Sequence, residues 1–492
     1  MAPAEPGPAP VDAATAVVDA AAPRPSGRPR PPGQRLYDMP YSAPAPRLVN
    51  PSLGLHNLVA RAGHNAAYEI DVTLLDAPDH RLIRSGVLLA HRVLDGRGEW
   101  YLTAPDWQPL LPKDRIELMG HADLPEELAD LIRPLRRRAP LGPVAALRCE
   151  RREFALRDED GATRALLRDD KVTVRRGGLT TARYREVMLT PVGPGLSEDQ
   201  NTFLDRALLG AGSTPVARFP RLVTRLGAPA TGASDIPEAA EFDPAGSFKK
   251  FVGHLLGLRL RRIVEADLAV RGGELRASER LVEDVQALAA ELAGLAQVSD
   301  AEWRNDLADE LDWLMGNGGP PQERLPVRLR SERYLAMLDQ LVAAARAPRV
   351  GEVGAEPAVA VLGALLDRAL DRVRSSVQAV ADLAPGPGWE SVRAALAGLE
   401  AAATLSRHLL PEATETLDLR LAEPRRLLTE VRGQPLPEDE ARGRAENLSS
   451  QEAFAAGRAF ERQQAAATKA RASFVKAWAK ADRKLTRQPA LG

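Results

Sequence analysis

The chain has 492 residues, enough for two or three domains with cores of their own. A formal net charge of −1 with 27% charged residues argues against a wholly basic nucleic-acid binder. One cysteine, Cys149, rules out an intrachain disulfide framework and fits a reducing compartment, and seven histidines without zinc-ligand spacing argue against a protein-only zinc site.

Residues 1–47 are rich in Pro and Ala and poor in large apolar side chains. Such a stretch cannot bury enough surface to offset its ordering entropy, so a disordered tail is expected. It has no basic segment leading into an apolar core, so it does not read as a secretory signal. No run of 18 apolar residues occurs anywhere, so no membrane helix and a cytoplasmic location are expected.

From residue 66 to residue 226 the pattern is that of short strands. In 68–76, Glu69, Asp71 and Thr73 alternate with Ile70, Val72 and Leu74, a period of two that puts one face in a core and the other in water. Further strands are predicted at 86–94, 99–103, 114–119, 144–157, 162–167, 171–176 and 184–190. Gly- and Asp-rich turns separate several of them, among them Gly177-Gly178. Helical patches fall at 125–138 and 197–209. Many strands with hairpin turns predict an antiparallel barrel.

Residues 227–245 have the composition of a linker. From 246 to 488 the three- and four-residue spacing of apolar residues predicts a bundle of about eight helices, as in Leu281, Val285, Leu288, Leu292 and Leu295. The fold class is therefore α+β, an antiparallel barrel followed by an all-α bundle. The last helix, 450–487, holds four of the chain's eight lysines. Projected at 100° per residue, Arg458, Arg462, Lys469, Lys476, Lys480 and Arg487 share a stripe about 40° wide, opposite Phe474 and Trp478. A helix face of one sign is suited to an extended polyanion, polyphosphate before nucleic acid.

This order of parts, with certain local phrases, resembles the two-domain CYTH–CHAD proteins of bacteria. The resemblance covers 66–226 (CYTH, the triphosphate tunnel fold) and 246–488 (CHAD). Glu69-Ile-Asp71-Val-Thr73 is similar to the family's E-x-E-x-K, with the lysine lost. Arg92 closes the second strand, Thr103 replaces a lysine in Trp100-Tyr-Leu-Thr103-Ala-Pro105, and Arg115-Ile-Glu117 keeps an R-x-E pair. Arg148 and Arg151 keep a basic strand, and Arg221 stands where a late lysine is usual. Leu166 replaces a glutamate, and of three alternating glutamates only Glu186 survives. In the helical half, Glu279 and Leu281 fall at the family's histidine and methionine, and Val282, Gln286, Ala287 and Ala289 fall where arginines would stand.

The resemblance implies a triphosphate-type site in which basic side chains hold phosphates and carboxylates hold a divalent metal. The phosphate-binding residues would be Arg92, Arg115, Arg148, Arg151 and Arg221. The remnant catalytic and metal carboxylates would be Glu69, Asp71, Glu117 and Glu186, with Glu69 and Asp71 first for the metal. With two lysines and several carboxylates gone, the expected function is a non-catalytic module that binds polyphosphate or another polyanion, or acts as a scaffold, with no cofactor required. The rivals are a triphosphatase or polyphosphatase using magnesium or manganese, and a structural protein with no anion ligand.

Overall fold

The computed structural model describes residues 32–62, 66–94, 96–112, 114–118, 123–316, 321–380, 387–430, 443 and 449–486. The chain divides into a sheet unit, 1–237 with Val264–Ala277, and a helical unit, Glu238–Ile263 with 278–492.

The sheet unit is built on β1 (Arg35–Met39), β2 (Asn57–Ala60), β3 (Ala67–Asp76), β4 (Leu88–Leu94), β5 (Arg97–Thr103), β6 (Asp114–Leu118), β7 (Gly142–Arg157), β8 (Thr163–Arg176), β9 (Leu179–Pro191) and β10 (Thr214–Val216). They form one sheet in the order β10-β1-β9-β8-β7-β3-β4-β5-β6, with β2 added on β7 and every ladder antiparallel. The long hairpin β8–β9 turns at Gly177 and Gly178, with φ of 54° and 82°. A two-residue turn between right-twisted strands requires positive φ, and glycine supplies it without a Cβ clash.

The alternation in β3 decides the two faces. Tyr68, Ile70, Val72 and Leu74 are buried, while Glu69 and Asp71 are exposed. On what we term the Tyr68 face, these pack with Leu88, Ala90, Tyr101, Leu147, Cys149, Val172 and Val174. Leu222 and Leu226 of a short helix, α5 (Leu222–Leu226), join the same cluster. On the opposite face, the end of the sheet near β1 is covered by α4 (Glu198–Gly210). Its Leu204 and Leu208 pack with Tyr37, Met39, Leu167, Val187 and Leu189. Helix α4 starts at a capping box in which Ser197 and Gln200 satisfy each other's backbone N–H groups. Three shorter helices, α1 (Arg81–Arg84), α2 (Glu126–Leu131) and α3 (Arg133–Arg136), fill connections.

Three expectations need correction. Within the expected tail 1–47, residues 35–39 form β1, which lies between β9 and β10. Tyr37 and Met39 are each only 2% exposed, so two large apolar side chains anchor a strand that is also paired on both sides, inside an otherwise Pro-rich stretch. Residues 1–31 lie outside the described set. The expected linker 227–245 is also partly core: Ala230 and Ile236 are buried, and buried Asp235 accepts hydrogen bonds from Arg84 (2.7 Å) and Arg137. Finally, the unit boundary does not fall at 246. It cuts the helix Phe248–Arg271, whose last residues belong to the sheet unit, where Arg271 pairs with Asp130 at 2.7 Å.

That helix is α6. The helical unit continues with α7 (Ala277–Gly294), α8 (Ala301–Met315), α9 (Pro321–Leu329), α10 (Glu332–Arg346), α11 (Ala358–Gln378), α12 (Pro387–Ser406), α13 (Pro411–Glu430) and α14 (Ser450–Leu485). The apolar frame read from α7 is buried: Leu281, Val285, Leu288, Leu292 and Leu295 are all at or below 1% exposure. A second core joins α11 to α14 around Trp389, Leu417, Leu421, Phe474 and Trp478. An antiparallel sheet unit followed by helices is the predicted fold class. No helix among the described residues is long and apolar enough to cross a membrane.

Candidate functional site

Strand register places a row of polar side chains across the Tyr68 face. Tyr68 lies opposite Arg151, Arg151 opposite Asp170, Asp170 opposite Glu186, and Glu186 opposite Asp38, so the row crosses β3, β7, β8, β9 and β1. Arg151 grips Asp170 with two parallel bonds of 2.7 and 2.8 Å, and Arg168 reaches the same carboxylate at 3.0 Å. From α5, Arg225 enters the row and approaches both Glu186 and Asp38 at 3.4 Å. Its guanidinium lies 4.3 Å from the Tyr184 ring centroid, and that of Arg151 lies 5.1 Å from the Tyr68 ring. Three cations thus meet three carboxylates.

Burial sets the electrostatics of this row. Glu186 is 5% exposed, and desolvation pushes its carboxyl from the usual 4.5 up to about 7 against the pull of Arg225, with Asp170 adding to the rise. Beside it, Cys149 is buried and its thiol is pushed up to about 12, so it is an inert core residue rather than a nucleophile. On β4, fully buried Arg92 pairs with Glu99 across the β4–β5 ladder and lies 4.1 Å from the Tyr101 ring centroid.

The structure splits the residues that the sequence had grouped. Arg92, Arg151 and Glu186 share the Tyr68 face. Glu69, Asp71 and Arg148 lie on the other, where Arg148 pairs with Glu69 and both are about half exposed. In β3 it is the Tyr68-Ile70-Val72 set that faces the arginine row, and Glu69 and Asp71, one residue out of phase, point to the other side of the strand. Arg115 and Glu117 stand opposite Leu102 and Trp100 on β6, and their side chains lie outside the described set. Arg221 is exposed at the start of α5; Arg225, one turn later, is the residue that reaches the row.

A divalent metal needs several carboxylates turned toward one point. Glu69 and Asp71 are turned away from Glu186, and Glu186 and Asp170 are already held by arginines, so the set does not fit magnesium or manganese. Among the described residues no group of three or more His, Cys, Asp or Glu side chains is placed to hold a metal ion.

Sequence reasoning missed Asp38, Arg168 and Arg225 as members of the row. Arg168 was accessible from parity, since it alternates in phase with Val172 and Val174. Asp38 was hidden in the Pro-rich segment, and Arg225 carries no local signal that distinguishes it from other surface arginines.

The cationic residues of α14 are arranged differently. Arg458, Arg462, Lys469, Lys476 and Lys480 are all exposed, and Ala467, Phe474, Ala477, Trp478, Ala481 and Leu485 are buried. None of the five forms an ion pair among the described residues; Arg487 lies outside them. Nearby Asp482 is taken by Arg374 at 2.8 Å.

No family model matches the chain. An uncharacterized protein of Mycobacterium tuberculosis, found in two strains, is 26% identical over 383 residues, covering 67% of this chain and 73% of its own length. Among solved structures, a candidate adenylate cyclase of Bacillus halodurans shares 13% identity with a TM-score of 0.19, over 34% of this chain and 93% of its own. A protein of Pyrococcus horikoshii OT3 shares 10% over 39% and 95%, with a TM-score of 0.20. A candidate adenylyl cyclase from Hippeastrum, described as having a dominant triphosphatase activity, shares 12% over 40% and 98%, with a TM-score of 0.21.

Proposed function

We propose that the chain is a non-catalytic polyanion-binding module of CYTH–CHAD type, with polyphosphate as its first candidate ligand and the exposed stripe of α14 as the binding face. The observation that carries this reading is the stripe itself: five exposed cations on one helix face without an acidic partner among the described residues. A decorative polar face is expected to mix signs, since like charges a turn apart repel each other. On the sheet unit, by contrast, each buried cation of the Tyr68 face meets a carboxylate. A phosphate chain entering there would have to displace carboxylates already bonded to Arg151, Arg168 and Arg225. The triphosphatase reading needs Glu69, Asp71, Glu117 and Glu186 around one ion, and the opposite orientation of Glu69 and Glu186 weighs against it.

The test is polyphosphate binding by the full chain and by a variant carrying Lys469→Glu, Lys476→Glu and Lys480→Glu. Neutralising about five phosphates should make parent affinity fall on the order of 100-fold between 50 and 200 mM salt, as counterion release requires. The variant should bind at least tenfold more weakly and with a shallower salt slope. Equal binding by the two proteins, or magnesium- or manganese-dependent phosphate release at ordinary enzyme rates, overturns the reading.

A further inference from the structure

Helices α8 and α10 of the helical unit run antiparallel. At one end they are joined by backbone bonds from Asp300 N to Arg349 O (2.9 Å) and from Gly351 N to Val298 O (3.0 Å). Toward the other end Arg333 of α10 meets Glu310 of α8 at 2.8 Å, and Leu311, Leu314, Tyr334 and Leu338 are buried. Near the joined end the pair is less well filled. There α10 offers only Ala343, Ala344 and Ala347, and between them and Trp303 and Leu307 of α8 lies an open-sided cavity of about 340 Å³. That volume is within the range of small-molecule sites, whose walls are mostly apolar with a few placed polar groups.

Four polar side chains line this cavity, and the fold uses none of them. Trp303 is only 9% exposed, yet its indole N–H has no acceptor among the described residues. Buried Trp100 and Trp107, by contrast, donate to the backbone carbonyls of Asp123 (3.0 Å) and Ser85 (2.6 Å), as buried indoles usually do. Asp306, Gln340 and Arg349 are exposed on the rim. Among the described residues none of these three side chains makes a hydrogen bond or an ion pair. Exposed charges on a bare surface need no partner. An acid, a base and an orphan buried donor around one apolar hollow differ, because an occupant of the hollow desolvates all of them together.

The charges decide the class of occupant. The carbonyl of Arg349 bonds Asp300, six residues before Asp306, which is about 9 Å along the helix axis. The base and the acid are therefore offered from different ends of the hollow. A polyanion is repelled by Asp306, and a hydrocarbon leaves both charges desolvated and unmatched. A molecule with an ammonium at one end, a carboxylate at the other and an apolar body between them satisfies both. The Arg349 fork matches the carboxylate, Asp306 takes the ammonium, and the Trp303 N–H and the Gln340 amide are left for a further oxygen. We propose that the α8–α10 cavity binds a small zwitterion with an apolar body, either a free amino acid or a dipeptide. The site shares no residue with the exposed stripe of α14, and it takes a ligand of different charge.

Calorimetric titration of the full chain with phenylalanine, leucine, leucyl-phenylalanine, phenylacetate and phenethylamine tests this. The zwitterions should bind saturably, and the two analogues with a single charge should bind roughly tenfold more weakly or worse. Asp306→Asn and Arg349→Gln should each weaken zwitterion binding about tenfold. Asp306→Asn should spare the remaining binding of phenylacetate, and Arg349→Gln that of phenethylamine. Ala343→Leu fills the hollow from an exposed position, so it should abolish binding without lowering the melting temperature. Tryptophan fluorescence should change on binding in the parent and not in Trp303→Phe. Tighter binding of the dipeptide assigns the site to peptides, and tighter binding of phenylalanine or leucine assigns it to free amino acids. The triple stripe variant should bind the zwitterion as the parent does, so the two proposals fail separately. No binding of any zwitterion by the parent, equal binding of the single-charge analogues, or undiminished binding by Asp306→Asn and Arg349→Gln overturns the site. Should Ala343→Leu not fold, the two charge variants, both at exposed positions, decide alone.

Discussion

The Tyr68 face of the sheet and the exposed face of α14 hold similar numbers of cations and treat them in opposite ways. On the sheet, Arg151, Arg168 and Arg225 are matched by Asp170, Glu186 and Asp38. On the helix, five cations face water and none forms an ion pair among the described residues. The difference follows from solvation. A buried cation must be matched because water is not there to stabilise it, whereas an exposed one is already hydrated and screened. Counting arginines therefore says little about anion binding; what matters is which of them lack an internal anion. By that measure the sheet interior is saturated and the helix face is open.

The largest effect is expected from breaking the most buried pair of the row on the Tyr68 face. Arg151→Met leaves Asp170 with only Arg168 and should cost about 3–5 kcal/mol, the size found when one partner of a buried pair is removed. Urea unfolding with an unchanged m-value would read it. Adding Asp170→Leu to the same variant should recover most of the loss, because two apolar residues need no partner. A cost under about 1 kcal/mol for Arg151→Met would mean that the row is not a paired network.

Next in size is the pH dependence carried by Glu186. Its carboxyl titrates near 4.5 when unfolded and near 7 when folded, so between those values the folded state holds a proton that the unfolded state has released. Its contribution is complete below pH 4.5 and is lost as pH rises through 7, to a total of about 3 kcal/mol. Glu186→Gln should flatten this part of the stability profile and gain on the parent toward pH 8. Buried Asp76, raised to about 6 mainly by desolvation, acts with the same sign. Only the difference between parent and variant belongs to Glu186. A variant profile parallel to the parent's across pH 5–8 would place the titration elsewhere.

Much of the fold was legible because burial and periodicity are local. The alternation Tyr68 to Leu74, the Gly177-Gly178 turn and the apolar frame of α7 each needed only a few neighbouring residues. The candidate site was less so. Asp38 sits in five residues, Arg35–Met39, whose strand conformation depends on ladders with β9 and β10 more than 140 residues away. Arg225 owes its role to where α5 lands on the sheet. The motif Glu69-Ile-Asp71 was visible as a pattern, but a pattern of period two does not say which of its faces is inside. The large apolar and aromatic members, Tyr68, Ile70 and Val72, took the interior because their burial is favourable and that of two carboxylates is not.

The smallest expected effect is the one that separates the two faces of the sheet most cleanly. Glu69 pairs with Arg148, but their side chains are 46% and 53% exposed. Two half-solvated charges gain little from each other, because water screens the attraction and two long side chains lose freedom to keep one geometry. Glu69→Gln should therefore cost no more than about 0.5 kcal/mol, and that cost should vanish in high salt. Nothing else should change: magnesium or manganese should shift the melting temperature of parent and variant equally, since Glu69 is turned away from Glu186 and shares no ion with it. The same substitution at a metal ligand would behave otherwise, abolishing any metal-dependent shift. A cost above about 1 kcal/mol that persists in high salt, or a metal shift lost with Glu69, would put this carboxylate back in a working site and reverse the assignment of the two faces.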